Sequence, residues 1–473
     1  MIERECHLPL GPLYVAAALE REGLTVDFRD YQLHEADELF SQAEILKALE
    51  DPAPLIGFSC MANLLPFTLL AMREVKNIYP DRTLVLGGVG AAEVEQAILE
   101  RFPWVDVIVR GEAERSAPLL VSALKANGDL AKVPGISYRV DGEVVHNPRP
   151  PRITDLDGLP PPAYHHIDLS RYSGFGTITS RGCPYPCTFC SVAPIWDLQP
   201  VHRSPRAIVE EIKVLQELGG AELILFQDEF FVSGRAQVLS FCEELKRAGV
   251  KILWKAFGRI NLTDPEMMQV MADNGCVEIR FGIESGSDRI LKKVKKGFRT
   301  DEVVKVVSQA VQIFRRVDAF YVWGFPFETM EDFHQSIFQM ISFRMLGARI
   351  LPSMLCLLPQ TEIYKKEIDP KALQFAPDLM PEYMVTGHEV SSFSRVDVLP
   401  EHEPFFAFIQ EHPDIFPGFF HMDLENNVRP KLRVLQEFGF YPASEQELAS
   451  MESCGAHSPH LNESQRGLAT RAV

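Results

Sequence analysis

The sequence predicts an α/β protein made of two sheet-and-helix domains and a small C-terminal cap. Three observations predict it. Short β-rich runs alternate with amphipathic helical patterns over residues 1–133, a proline-rich stretch follows, and a second alternating series begins near residue 175. With 473 residues, 46% of them hydrophobic and 24% charged, the chain has ample core for two or three domains.

In the first series, strands are predicted at 24–30 (LTVDFRD), 54–60 (PLIGFSC), 83–88 (TLVLGG) and 105–111 (VDVIVRG), each before a helical pattern such as 64–79. This is the alternation of a doubly wound, Rossmann-like parallel sheet, assigned to 1–133. Ser59, Gly87, Gly88 and the Gly111-Glu112 pair fall just past the strand ends, where open α/β sheets bind ligands. Residues 135–147 alternate around Asp141-Gly142, a type I′ hairpin signal. Together with the proline-rich run 147–166, they are assigned to a hairpin and linker over 134–174.

The second series predicts strands at 176–180, 221–227, 250–257, 277–283, 318–324 and 348–355. Ser204-Pro205 and Asp264-Pro265 each pair an N-cap residue with proline at the first helical position. Six βα units in sequence make a (β/α)6 partial TIM barrel over 175–370, whose active face is the C-terminal end of its strands. After it, 371–451 is read as a small cap, with six phenylalanines between 403 and 422, and 452–473 as a disordered tail.

A formal net charge of −18 speaks against a nucleic-acid partner. No run of 18 apolar residues exists, so no transmembrane segment is expected, and "MIERECHLPLGP" lacks the layout of a secretory signal. The expected location is cytoplasmic. In a reducing compartment clustered cysteines serve as metal thiolates rather than disulfides.

Such a cluster opens the barrel. "TSRGCPYPCTFCS" (179–191) places Cys183, Cys187 and Cys190 on a segment that Pro184 and Pro186 keep from being helical, so the thiols can converge. A structural zinc would need a fourth ligand, such as His202. A 4Fe-4S cluster held by three thiolates leaves one iron open to a small molecule.

With its CxxxCxxC spacing and an aromatic before the last cysteine, this loop resembles the cluster loop of the radical S-adenosylmethionine (radical SAM) enzymes. The resemblance implies that Cys183, Cys187 and Cys190 bind the cluster, that S-adenosylmethionine chelates the open iron, and that Phe189 lies near the adenine. "FGIESGSDRILKKVKKGF" (281–298) resembles the family's later strand and loop, with Glu284 and Ser285 facing the methionyl or ribose part and Lys296 in a customary position. Asp228 and Glu229 stand at a second strand end. Arg259 would either hold a carboxylate bidentately or pair with a neighbouring acid. Residues 55–115 are similar to the cobalamin-binding domain that precedes the barrel in one branch of the family, and the match runs over roughly residues 8 to 365. Ser59, Gly87, Gly88, Gly111 and Glu112 would then surround the cobalamin.

Three departures accompany the match. Cobalamin domains of this kind open with a further strand, whereas here the chain reaches its first helix (11–23) almost at once. "ECHLPLG" (5–11) is a poor version of a DxHxxG loop, so His7 is read as a surface histidine rather than a cobalt ligand. "GFPFET" (324–329) stands where the branch has GLPGET, which makes the substrate side bulkier.

The resemblance implies two uses of S-adenosylmethionine. One molecule methylates cob(I)alamin, and another is cleaved at the cluster to a 5′-deoxyadenosyl radical that activates the substrate. The expected activity is methyl transfer to an unactivated carbon of a small-molecule or natural-product substrate, with an external low-potential electron donor such as flavodoxin or ferredoxin. The alternatives are ring formation or rearrangement with the same cofactors, and a non-catalytic cobalamin-binding sensor. An RNA methylthiotransferase would bring further cluster cysteines and a basic RNA-binding module, and neither is visible.

Overall fold

Runs of Ile, Leu and Val form the strands of the first sheet, and the amphipathic segments between them form its cover. The structure, a computed structural model, describes residues 6–34, 42–379 and 402–441. Helices α1 (Leu10–Arg21) and α2 (Gln42–Ala48) precede β1 (Leu55–Ser59), β2 (Thr83–Gly87) and β3 (Val107–Val109), which pair in parallel. The hairpin of β4 (Ile136–Val140) and β5 (Glu143–His146) adds antiparallel to β3, so the order is β1-β2-β3-β4-β5. The hairpin assigned to the connecting region therefore extends the first sheet. Its Asp141 and Gly142 have φ of 50° and 87°, as a type I′ turn requires. On one face α3 (Leu65–Ile78) and α4 (Glu95–Arg101) bury Leu69, Met72 and Ile98 against Leu84 and Leu86. On the other, α5 (Ala113–Lys125) packs Leu120 on Val85 and Val107, with α1 alongside. Both faces are helix-covered, as a doubly wound sheet demands.

No strand forms at 24–30, contrary to expectation. Such a strand would need an edge partner supplied from before α1. Those described residues turn to the other domain instead: His7 makes a parallel bridge with Gly174, and the Cys6 amide donates to Ser173 Oγ at 2.8 Å. Val26 and Phe28 settle against Ala16, Ala17 and Ala163.

The second sheet begins at β6 (Phe175–Thr177). A two-residue ladder, β7 (Ser180–Arg181) with β8 (Val201–His202), brackets the cysteine loop and the short α6 (Val192–Ile195). Strands β9 (Leu223–Phe226), β10 (Leu253–Gly258), β11 (Cys276–Glu284), β12 (Arg316–Trp323) and β13 (Arg349–Met354) then follow in consecutive parallel order from β6. This is the expected six-stranded partial barrel. Its helices are α7 (Pro205–Gly219), α8 (Arg235–Ala248), α9 (Pro265–Asp273), α10 (Asp288–Lys293), α11 (Thr300–Ile313), α12 (Met330–Met345) and α13 (Glu362–Glu367). The caps act as the sequence indicates: Ser204 Oγ accepts from the Ala207 amide at 3.2 Å, and Asp264 Oδ1 from the Met267 amide at 2.9 Å. Trp254, fully buried, anchors the core between Phe226, Phe231 and Phe241, with ring centroids 5.2 to 5.7 Å apart.

The C-terminal segment does more than cap the barrel. After β14 (Leu373–Phe375), the stretch from α14 (Glu403–Glu411) through β15 (Phe420–Met422) carries the six phenylalanines into the core of the first domain, and Arg101 holds Asp414 bidentately at 2.8 and 2.6 Å. α15 (Arg429–Glu437) turns back to the barrel and buries Leu432 and Leu435 there. The tail 452–473 lies outside the described residues. No helix among the described residues is long and apolar enough to cross a membrane.

Candidate cofactor sites at the strand ends

Between β7 and α6 the chain makes the predicted non-helical loop. Gly182 enters it at φ 94°, where a Cβ would stand 2.9 Å from Trp196 Cβ, so only glycine fits. The loop is tied to the barrel rim: the Thr188 amide donates to Val294 O at 3.2 Å and the Ile363 amide to Thr188 O at 2.8 Å. Cys183, Cys187 and Cys190 are all free and partly exposed. Burial raises the Cys183 thiol, with Cys187 adding and Arg259 and Lys296 opposing. Burial likewise pushes Cys190 up to about 11, with Cys187, Cys183 and Glu284 adding. Among the described residues the trio of His, Cys, Asp or Glu ligand atoms lying within 4.8 Å of one another is Glu20, His165 and His166, at the junction of α1 and the linker. The three sulfurs are spread wider than that. Tetrahedral zinc would hold them about 3.8 Å apart, given a Zn–S bond of about 2.3 Å. His202, the alternative fourth ligand, joins no such trio either and pairs its backbone with Ser180. Free thiols so spread on an open loop at the strand mouth fit a multi-iron cluster and do not fit a single zinc.

Four of the other predicted residues lie in or around this loop. The Arg259 guanidinium lies 3.4 Å from the ring centroid of Tyr185, between the first two cysteines, and its Nη2 donates to Lys296 O. Its Nε is buried with no hydrogen-bond partner. The side chain joins the loop to the segment after β11, and among the described residues it forms no ion pair with an acid. Glu284 ends β11 at φ 72° beside a register shift and forms an ion pair with Lys296 Nζ at 2.9 Å. Phe189 packs edge-on against Phe325, centroids 5.8 Å apart, in an apolar cluster with Ile290 and Val294.

Three others, two of them buried and one exposed, are engaged with the protein itself. Ser285 is fully buried; its hydroxyl lies 3.1 Å from Ser336 Oγ and accepts from the Ser287 amide. Asp228, 1% exposed, accepts from the Thr179 amide at 2.8 Å, from Thr179 Oγ1 at 2.9 Å, from Ser180 Oγ at 2.8 Å and from the Ser180 amide. It pins the stretch leading into the cysteine loop instead of facing the mouth. Glu229, exposed, accepts from the Gly182 amide at 3.3 Å and from Trp196 Nε1 at 3.0 Å, bracing both sides of that loop.

At the first sheet, Ser59 is exposed at the end of β1, and Gly87 would meet nothing nearer than Phe58 O at 3.7 Å. Gly57 and Gly111 have open space where a Cβ would go. These bare strand ends fit a large planar ligand laid across them. Gly88 has another cause: at φ 83° its Cβ would sit 2.4 Å from Cys60 O, so glycine is needed where two loops cross. Glu112 departs from its predicted role. Buried, it accepts from the Ile153 amide at 2.7 Å and pairs with Arg152 at 3.1 Å and Arg181 at 3.2 Å. Arg181 in turn holds Glu114 at 2.5 Å. Arg152 also lies over the Trp196 ring at 4.6 Å. This chain of charges crosses from the first sheet to the residue two places before Cys183. "RGEAE" and "TSRGC" both display its members, but only the tertiary structure brings them together.

The family description of the radical SAM superfamily matches residues 177–340, and that of the B12 binding domain matches residues 4–121. Among curated relatives, the uncharacterized methyltransferase PH0819 of Pyrococcus horikoshii is 29% identical over 335 residues, 70% of this chain and 72% of its own length. The anaerobic magnesium-protoporphyrin IX monomethyl ester cyclase of Rubrivivax gelatinosus is 27% identical over 69% of this chain, which spans 61% of that relative's length. Among solved structures, the radical S-adenosylmethionine methyltransferase TsrM from Kitasatospora setae, with cobalamin and a 4Fe-4S cluster bound, gives a TM-score of 0.64 at 17% identity, covering 80% of this chain and 78% of that one. That likeness is one of fold.

Proposed function

This chain belongs to the radical SAM superfamily and carries a B12-binding domain ahead of its radical SAM domain, and on that premise we propose that it is a cobalamin-dependent methyltransferase acting on an unactivated carbon of a small molecule. The observation that carries the reading is the buried run Arg152, Glu112, Arg181, Glu114. It fastens the end of the last parallel strand of the cobalamin domain to the cysteine loop, so the two cofactor sites are held at a fixed separation, as transfer between them needs.

When bound, the cluster with S-adenosylmethionine supplies a radical, and cobalamin supplies the methyl group. The chain's residues do the rest. Cys183, Cys187 and Cys190 hold the cluster. Arg259, Glu284 and Lys296 rim the S-adenosylmethionine side, where the Glu284 carboxylate is kept in place by Lys296 and an amino group can share it. Phe189 offers an apolar wall. Ser59, Gly87 and Gly111 leave backbone bare for the corrin and its tail. The phenylalanines of the C-terminal segment shield the first domain's side from water. An electron must arrive from outside, from a low-potential donor such as flavodoxin or ferredoxin in a reducing cytoplasm. The cyclase relative favours a second reading, ring formation by the same cofactors without methyl transfer.

The test uses anaerobically reconstituted protein given hydroxocobalamin, a low-potential reductant and S-adenosylmethionine, with products followed by mass spectrometry. S-Adenosylhomocysteine together with 5′-deoxyadenosine supports the methyltransferase. 5′-Deoxyadenosine alone moves the reading to the cyclase, and absence of both overturns the two.

A further inference from the structure

Where the linker meets α1, three ligand-type side chains share one spot. Glu20 lies in the last turn of α1, and its Oε1 stands 2.7 Å from His166 Nε2 and 3.1 Å from His165 Nε2. The three atoms all lie within 4.8 Å of one another. His165 and His166 are consecutive residues of a 3-10 turn, Tyr164–His166, in which neighbouring side chains diverge by about 120°. Here the two rings converge, with centroids 4.4 Å apart. His165 gains little burial by turning back, for its side chain stays 64% exposed.

The spot is held from both sides. The Ala163 amide donates to Leu13 O at 3.2 Å, which sets the linker against α1, and Arg21 Nη1 donates to Gly158 O at 3.4 Å. Phe28 stacks on the His166 ring, centroids 6.0 Å apart, and so orients that imidazole. The charge also favours a cation here. A carboxylate in the last turn of a helix faces the negative end of the helix dipole, and among the described residues no lysine or arginine pairs with Glu20.

We propose that Glu20, His165 and His166 form a zinc site that clips α1 of the first domain to the linker entering the barrel. Zinc takes nitrogen and oxygen ligands at about 2.0–2.1 Å, and a tetrahedron of that size sets them about 3.3 Å apart. The present spacings of 2.7 and 3.1 Å need to open by only about 0.2–0.6 Å, which side chains at the surface can do. Each imidazole gives the lone pair of Nε2 once its proton sits on Nδ1, Glu20 gives one oxygen, and water takes the fourth position. Two nitrogens with one carboxylate select zinc over magnesium, which keeps to oxygen. The site shares no residue with the cysteine loop or the strand ends of the first sheet, so it stands whether or not the barrel transfers methyl groups.

The test uses the full chain with its cluster in place, so that Cys183, Cys187 and Cys190 are occupied. The protein is dialysed anaerobically against zinc chloride, and bound zinc is counted by metal analysis, with iron counted in the same samples to show the cluster intact. One zinc per chain is expected, bound at least about a hundredfold tighter than magnesium. His165→Gln and Glu20→Gln each weaken it about tenfold or more. Zinc raises the thermal midpoint of the wild type by about 2–4 °C and leaves both variants unmoved. Wild-type zinc affinity in both folded variants means adventitious binding elsewhere and overturns the proposal, as does a wild type that binds no zinc. A wild-type midpoint unmoved by bound zinc overturns the clip. Should both variants fail to fold, the choice of metal decides: magnesium bound as tightly as zinc overturns the assignment of the two imidazoles.

Discussion

Glu284 adopts φ 72°, a region that a non-glycine residue enters only when its surroundings over-determine it. The ion pair with Lys296 does so, and Gly282 makes room, since a Cβ there would lie 2.6 Å from Glu284 Oε1. The cysteines before it have a simpler test. Replacing any one of Cys183, Cys187 or Cys190 with alanine should abolish 5′-deoxyadenosine formation and strip cluster iron while cobalamin still binds, as measured by product and metal analysis. The glycines of the first sheet separate by cause. Gly88→Ala meets Cys60 O and should cost about 3 kcal/mol in urea unfolding. Gly111→Ala meets open space and pays only left-handed strain, about 1 kcal/mol, so a loss of cobalamin retention there reports contact with the cofactor. His421 predicts a pH dependence. Its native ring takes a proton near pH 4 and the unfolded ring near 6.5, so between those values the unfolded chain binds more protons. Stability therefore falls by up to about 3 kcal/mol as pH drops from 6.5 to 4, and His421→Phe should flatten that slope in urea midpoints taken at several pH values.

At the scale of elements, the buried charge chain ties the first sheet to the cysteine loop of the barrel. Arg181→Met would strand the Glu112 and Glu114 carboxylates without their shared partner, costing about 3 kcal/mol and splitting the calorimetric transition in two. Here the limits of the sequence are physical. The barrel strands are legible because strands buried on both faces read as continuous apolar runs, as in "AELILFQ" and "DAFYVWG". The run at 24–30 reads as a strand too, yet a strand exists only where a neighbour offers hydrogen bonds, and composition does not report the neighbour. Asp228 and Glu112 show the same limit for the sites. Their positions at strand ends are correct, but the direction of each side chain is set by Thr179, Ser180, Arg152 and Arg181, brought in from far along the chain. The cysteines depend less on distant partners, since their spacing within eight residues keeps them on one loop.

Across the whole molecule, one segment holds both domains. The phenylalanines at 405–420 complete the core of the first domain, and α15 completes the barrel. Phe416→Ala should destabilise by about 3–4 kcal/mol and open the domain junction to limited proteolysis, whereas an exposed change such as Phe338→Ala should do neither. The arrangement also bears on how the protein is made. Ribosomes deliver the B12-binding domain first and the barrel second, while the residues that seal each of them come after both. Two apolar surfaces therefore stay bare throughout elongation, and the cell must shield them from neighbouring nascent chains until the last helices emerge.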